Sequence, residues 1–133
     1  MNAESAERLF GWLGTIGLLG ILPIKLVRFL GVTSSGPVIA IAPSVLGPAG
    51  LYFLLMASHG RLSRLGPQRL ALLVGAVSVA LECGQLIPRP GILARALYTF
   101  DFYDLGASIL SVAAAYAFSA WVLRESCPVD AER

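Results

Sequence analysis

The sequence predicts an all-α membrane protein with four transmembrane helices in an antiparallel bundle and a short interfacial helix between the third and fourth. Of its 133 residues, 56% are hydrophobic and 14% are charged, and the mean hydropathy is +0.76. Soluble domains carry about 25% charged residues, so this chain is too apolar to be one. Four apolar runs approach the length of about 20 residues that a helix needs to cross a bilayer. We therefore expect one transmembrane domain over 1–133.

The first span is predicted over 9–30. Pro23 is expected to kink it, and Lys25 and Arg28 lie near its end, where long side chains can reach the lipid headgroups. Four glycines recur at every third residue, which favours close packing within the bundle over a dedicated dimer face. They are Gly11, Gly14, Gly17 and Gly20.

The second span is predicted over 37–58, and its first half is rich in helix-breaking residues. Pro43, Gly47 and Pro48 all fall within it, so we expect this half to be kinked or partly unwound. Broken backbone at membrane depth is tolerated only inside protein or beside a water-filled cavity. This half should therefore face the interior of the bundle.

The third and fourth spans are predicted over 70–87 and 104–123. Pro88 follows the third span and ends it. The segment 91–98 between them is a short amphipathic stretch that carries Arg95, and we expect it to lie along the membrane interface as a helix.

The basic residues predict the orientation. Four spans place both termini on one side, and that side collects Arg8, Arg124 and three arginines of the short loop between the second and third spans. Because cytoplasmic loops carry the excess of Lys and Arg, both termini are predicted to be cytoplasmic. The loop between the third and fourth spans then lies on the extracytoplasmic side.

Polar residues recur at helical spacing along one face of the third span. Glu82 is the most notable, because an ionisable group within a span is costly and is by default a candidate for function. The structural alternative is a protonated Glu82 that bonds to Ser108 or to Gln85. The residues that share this face, at intervals of three, four and three, are Gly75, Ser78, Glu82 and Gln85.

Two aspartates open the fourth span. An aspartate at a helix start can cap free N–H groups, so one of Asp101 and Asp104 is expected to be a cap. Because a short connection makes the third and fourth spans antiparallel neighbours, Glu82 and the aspartates are expected to meet in one outward-facing pocket. The face that begins at Asp104, at intervals of four, three and four, comprises Asp104, Ser108, Ser111 and Ala115.

These polar residues resemble a family pattern. Glu82-x-x-Gln85 late in one span, a short basic loop, and then Thr-Phe-Asp-x-x-Asp-Leu-x-Ala from Thr99 resemble the VanZ-like family of small bacterial membrane proteins. The resemblance covers about 43–116, and "APSVLGPAG" at 42–50 is similar in placement to the family's entry to its second span. It implies a four-span fold in the bacterial inner membrane.

VanZ itself, the member for which the family is named, is associated with resistance to the glycopeptide teicoplanin, and the resemblance therefore implies a role at the cell envelope. This sequence departs from the family pattern near Gly47, where the family often has a histidine, and at Ser108 and Ser111. An activity that depends on the family's usual residues at those positions would be absent from this chain.

Two classes of function remain open on this basis. In the first, an outward-facing pocket binds a polar group of a lipid, a cell-envelope precursor or a glycopeptide, and Arg95 holds a lipid phosphate at its rim. In the second, the chain is a non-catalytic accessory subunit of a larger membrane protein complex. The predicted ligand-binding residues are Glu82, Gln85, Arg95, Asp101, Asp104 and Ser108.

The sequence favours binding over catalysis. It shows no nucleophile motif, no histidine partner and no zinc signature, so no cofactor and no metal are predicted. Two alternatives are an acid–base pair of Glu82 and Asp104, and a divalent cation held by these two residues with Asp101. Basic residues are scattered through the loops, which argues against nucleic acid and leaves membrane lipids as the expected partners.

Overall fold

The computed structural model describes residues 2–30, 37–58, 62, 65–84 and 101–126. These residues form five α-helices, and no strand occurs among them, so the all-α prediction is confirmed for this part of the chain. The helices are α1 (Ala3–Leu19), α2 (Ile21–Phe29), α3 (Pro37–Met56), α4 (Pro67–Gly84) and α5 (Phe102–Ser126).

The first apolar segment is interrupted where Pro23 requires it. Proline has no N–H, so the carbonyl of Leu19, four residues earlier, lacks its usual helical donor, and α1 ends at Leu19. The backbone at Gly20 nevertheless stays in the right-handed helical region, with φ −62° and ψ −19°. The helices α1 and α2 therefore follow one another as one apolar segment, as the sequence predicted.

The helix α3 is continuous from Pro37 to Met56 although Pro43 and Pro48 lie inside it. The expected partial unwinding of its first half does not occur, and one physical reason is visible. Pro48 deprives the carbonyl of Ser44 of its helical N–H donor. The Ser108 hydroxyl of α5 donates a hydrogen bond to that carbonyl at 3.0 Å and so replaces the missing donor.

The helix α3 is central to the bundle and packs against α1, α4 and α5. Its contact with α1 is made through glycines. A Cβ atom at Gly14 would lie 2.6 Å from the backbone nitrogen of Leu54, and one at Gly17 would lie 3.1 Å from the Cα of Gly50. The predicted use of these glycines for packing within the chain is confirmed at Gly14 and Gly17.

Two apolar clusters form the core. One joins α3, α4 and α5 through Tyr52, Leu70, Val74, Val112 and Ala115. The other joins α1 to the distal end of α5 through Ala6, Phe10 and Val122, with Phe53 of α3 packed against it. The Phe10 and Phe53 rings stack at a centroid distance of 5.8 Å. The start of α1 thus meets the ends of α3 and α5, so α1 runs antiparallel to both of these helices.

Two hydrogen bonds align α3 and α5 in parallel. The first is the bond from Ser108 to Ser44. The second joins the buried side chains of Tyr52 and Ser119 at 2.7 Å, and Ser119 in turn donates to the Tyr116 carbonyl at 2.8 Å. Because the single Ser119 hydroxyl proton is used toward Tyr116, Tyr52 is the donor to Ser119.

Among the described residues, two helical segments, 4–27 and 102–126, are long and apolar enough to cross a membrane, and 41–56 is a shorter apolar helix. Large apolar side chains are exposed on the outer faces of the bundle, as expected for contact with lipid or with another protein. They include Trp12, Leu22, Leu72, Leu110 and Trp121.

Candidate functional site

A cavity of about 370 Å³ lies where α2, the first half of α3, the end of α4 and the start of α5 meet. Sites for small molecules commonly enclose about 300–1,000 Å³, so its size suits a small ligand group. Most of its lining is apolar, which makes its polar residues conspicuous. They are Lys25, Ser44, Ser78, Glu82 and Ser108.

The cavity exists because α3 presents small and proline residues at this level. Pro43, Ser44, Gly47 and Pro48 line it and are partly buried, so this half of α3 faces the interior, as predicted. A Cβ atom at Gly47 would meet only the tip of Ile21, at 3.5 Å. The space beside Gly47 is therefore open to a ligand.

Two serine hydroxyls in the lining direct their protons away from the cavity. Ser108 donates to the carbonyl of Ser44 at 3.0 Å, and Ser78 donates to the carbonyl of Val74 at 2.9 Å. Each hydroxyl has one proton and two lone pairs. Toward a ligand, these two groups therefore offer lone pairs, that is, hydrogen-bond acceptors.

The cavity carries side chains of both charges. Glu82 is partly buried near the end of α4, and its carboxyl oxygens are also acceptors. Lys25, on α2, contributes an ammonium with three donors. The walls formed by α4 and α5 thus present acceptors, among them a carboxyl group, whereas α2 presents donors and a basic group.

The structure brings together two of the predicted site residues, because Glu82 and Ser108 both line this cavity. Asp101 is exposed and caps α5, since its side chain accepts a hydrogen bond from the Tyr103 N–H at 2.9 Å. The expectation that one of the two aspartates is a cap is therefore confirmed for Asp101. Asp104 lies partly buried in the first turn of α5 and is not among the residues that line the cavity.

The predicted site residues Gln85 and Arg95 lie outside the described residues, as does the expected interfacial helix at 91–98. Among the described residues, no group of three or more His, Cys, Asp and Glu side chains is placed to hold a metal ion. The sequence left open a divalent cation held by three carboxylates. The structure does not group the three residues in question, Glu82, Asp101 and Asp104, in that way.

The packing face of α4 differs in part from the prediction. Nothing lies within 4 Å of a Cβ atom built at Gly75, so this glycine does not mediate a close approach between helices. The buried residues of α4 are instead Leu70, Val74 and Ser78, a row at intervals of four. The same interval leads from Ser78 to Glu82, which explains why Glu82 reaches the cavity.

Lys25 and Ser44 belong to the cavity but were absent from the predicted site. A sequence signal existed for Ser44, because its position four residues before Pro48 alone shows that its carbonyl lacks a helical donor. No comparable signal existed for Lys25, since a basic residue near the end of a span is ordinarily a headgroup contact.

Comparisons of the chain with models of protein families, with curated proteins and with solved structures find no match. The resemblance to the VanZ-like family therefore depends on the quoted residues alone.

Proposed function

We propose that this chain is a small VanZ-like membrane protein that binds the polar group of an amphipathic molecule in the cavity between α2, α3, α4 and α5. The ligand would be a membrane lipid or a lipid-linked precursor of the cell envelope. One observation carries the proposal: a cavity of about 370 Å³ in an otherwise apolar bundle is lined by Lys25, Glu82 and three serines.

Energetic cost supports binding over a purely structural role. Charged and polar side chains at membrane depth are expensive, and they are found facing bundle interiors or water-filled cavities where they serve a function. The serine hydroxyls are satisfied by backbone carbonyls, as at Ser78 and Ser108. Lys25 and Glu82 also line the cavity and add ionisable groups to it, which suits a polar ligand group.

The proposed topology has four spans, formed by α1 with α2, then α3, α4 and α5, in the bacterial inner membrane. With cytoplasmic termini, the ends of α2 and α4 and the starts of α3 and α5 face outward. The cavity then opens in the outer half of the bilayer, where lipids and envelope precursors of the outer leaflet reach it.

Cysteine labelling in intact cells tests this topology. In a background without Cys83 and Cys127, a cysteine in place of exposed Gly66 should resist an impermeant maleimide, and one in place of exposed Phe102 should react. The reverse pattern would overturn the orientation. Equal labelling at both positions would contradict the prediction that the chain crosses the membrane once between them.

A cavity-filling substitution tests binding. Gly47→Leu places a side chain in the open space, whereas Gly106→Leu on α5 is a matched control, because nothing lies within 4 Å of a Cβ atom there. Native mass spectrometry of the purified protein in mild detergent should show lipid bound to the wild type and to Gly106→Leu, and much less to Gly47→Leu. Equal lipid binding by all three proteins would contradict the proposal.

The accessory-subunit function is tested by the same purification. Binding in the cavity predicts a protein that purifies alone with bound lipid. Stable co-purification with one large assembly, with lipid binding unaffected by Gly47→Leu, would instead support a role as a subunit.

A further inference from the structure

The polar groups of the cavity specify the chemistry of the ligand more closely than the cavity itself does. On the side of α4 and α5, Glu82 offers carboxylate oxygens, and Ser78 and Ser108 offer lone pairs because their protons are already donated to the carbonyls of Val74 and Ser44. A group that faces this side must therefore be a hydrogen-bond donor, and a positive charge on it is favoured by Glu82.

A primary ammonium meets that requirement best, because it carries one positive charge and three N–H donors. Three residues that line this side of the cavity carry acceptor groups, the carboxyl of Glu82 and the hydroxyls of Ser78 and Ser108. A quaternary ammonium keeps the charge but has no N–H to donate. A neutral sugar or glycerol hydroxyl has one donor and no charge.

The side of α2 has the opposite requirement. Lys25 lines the same cavity and presents a positive charge with three donors, which suits an anionic oxygen group such as a phosphate. An otherwise apolar lining, with Ile21 and Leu51 among it, surrounds these polar groups and suits the hydrocarbon that adjoins a headgroup.

We propose that the cavity recognises a phosphate joined to a primary ammonium, as in the headgroup of phosphatidylethanolamine, with the ammonium against Glu82, Ser78 and Ser108 and the phosphate against Lys25. This assignment rests on the proposed function, because it names the ligand class of the same cavity. It separates phosphoethanolamine lipids from choline and glycerol lipids, which share the phosphate but lack the primary ammonium.

A methylation series of lipids tests the ammonium contact. Phosphatidylethanolamine and its monomethyl, dimethyl and trimethyl (choline) forms, all with dioleoyl chains, keep the positive charge while the N–H donors fall from three to none. Competition among them for delipidated protein, followed by native mass spectrometry, should show affinity decreasing along the series. Hydrogen bonds to charged groups predict a loss of about ten-fold or more by the choline form.

Two charge-neutralising variants separate the two ends of the headgroup. Glu82→Gln should reduce the affinity for the ethanolamine lipid by about ten-fold and should flatten the methylation series. Lys25→Gln should weaken all four lipids by a similar factor and leave the slope of the series unchanged, because the phosphate is common to them. Glu125→Gln and Arg124→Gln, at the exposed far end of α5, are the matched controls and should change neither quantity.

The outcomes distinguish this inference from the function on which it rests. A flat methylation series in the wild-type protein, with lipid binding still abolished by Gly47→Leu, would overturn the phosphoethanolamine assignment and leave binding in the cavity intact. Lipid binding that is insensitive to Gly47→Leu would overturn both. Glu82→Gln could also lose its helical circular dichroism while the methylation series is flat in the wild type. That outcome would show that Glu82 serves the fold, and it would also overturn the assignment.

Discussion

Replacing Ser108 by alanine should destabilise the bundle through one identifiable carbonyl group. The Ser108 hydroxyl donates to the Ser44 carbonyl, which has no helical donor because Pro48 lacks an N–H. Leaving a buried acceptor without a partner costs about 1–3 kcal/mol, but hydrogen bonds between membrane helices average only about 0.6 kcal/mol. At 3.0 Å this bond is at the long end for hydroxyl donors. We therefore expect Ser108→Ala to lower the free energy of unfolding by about 1 kcal/mol.

The substitution Pro48→Ala should rescue that loss. Alanine at this position restores the N–H that can donate to the Ser44 carbonyl within α3, so the hydroxyl of Ser108 is no longer needed there. In the Pro48→Ala background, Ser108→Ala should cost close to nothing. The double-mutant cycle should therefore give an interaction energy of about 1 kcal/mol between two residues on different helices.

The assay is reversible unfolding in mixtures of sodium dodecyl sulfate and a mild detergent, followed by the fluorescence of Trp12 and Trp121 and by circular dichroism. Ser111→Ala is the matched control, because this buried hydroxyl donates to the Ser108 carbonyl of its own helix. Its cost should be the same in both backgrounds. The cost of Ser108→Ala could instead be the same with and without Pro48, within the roughly 0.3–0.5 kcal/mol expected for independent sites. In that case the Ser108 hydroxyl does not replace the N–H that Pro48 lacks.

Three further substitutions, two of them with a control variant, test the packing and the α5 cap in the same unfolding assay. Tyr52→Phe should lower the free energy of unfolding by about 1 kcal/mol because it removes the buried donor to Ser119, whereas Tyr103→Phe, at an exposed position, should be neutral. Gly14→Ala should separate α1 from α3 and destabilise the bundle, while Gly75→Ala should be neutral or stabilising, since its Cβ meets nothing within 4 Å. Asp101→Ala should cost about 1 kcal/mol through loss of the α5 cap, and no loss would refute the capping role.

The sequence predicted those features of the fold that depend on local chemistry. The interruption before Pro23 and the cap at Asp101 each follow from one residue's own donors and acceptors. The packing at Gly14 and Gly17 follows from the absence of side chains along one segment. Such features need no knowledge of which helices are neighbours, and for that reason they agree with the structure.

The sequence predicted that the first half of α3 is kinked or partly unwound, and the unwinding does not occur, because a lost donor can be replaced from another helix. Counting prolines shows that the carbonyl of Ser44 loses its partner, but not that Ser108, 64 residues later, supplies a new one. The continuity of α3 is thus a tertiary property. Gly75 is a second case. The spacing placed it on the same helix face as Ser78 and Glu82, but the residues of α4 that pack against its neighbours are Leu70, Val74 and Ser78.

The candidate site was predicted where helical spacing sufficed. Glu82 and Ser108 reach the same cavity because each lies on the inner face of its helix and the two helices are antiparallel. Lys25 was missed because a basic residue near the end of a span is ordinarily a headgroup contact, and nothing local in the sequence distinguishes it from one.

One hydroxyl group links the stability of the bundle to the chemistry of the proposed site. Because Pro48 leaves the Ser44 carbonyl in need of a donor, the proton of Ser108 is held toward α3, and only its lone pairs remain for a ligand. Ser78 donates to the Val74 carbonyl within its own helix. The acceptor character of Ser108 is thus a consequence of how α3 and α5 are held together. A ligand that needs a donor from Ser108 would have to break a bond of the fold to obtain it, which is one physical reason for expecting the cavity to select an ammonium.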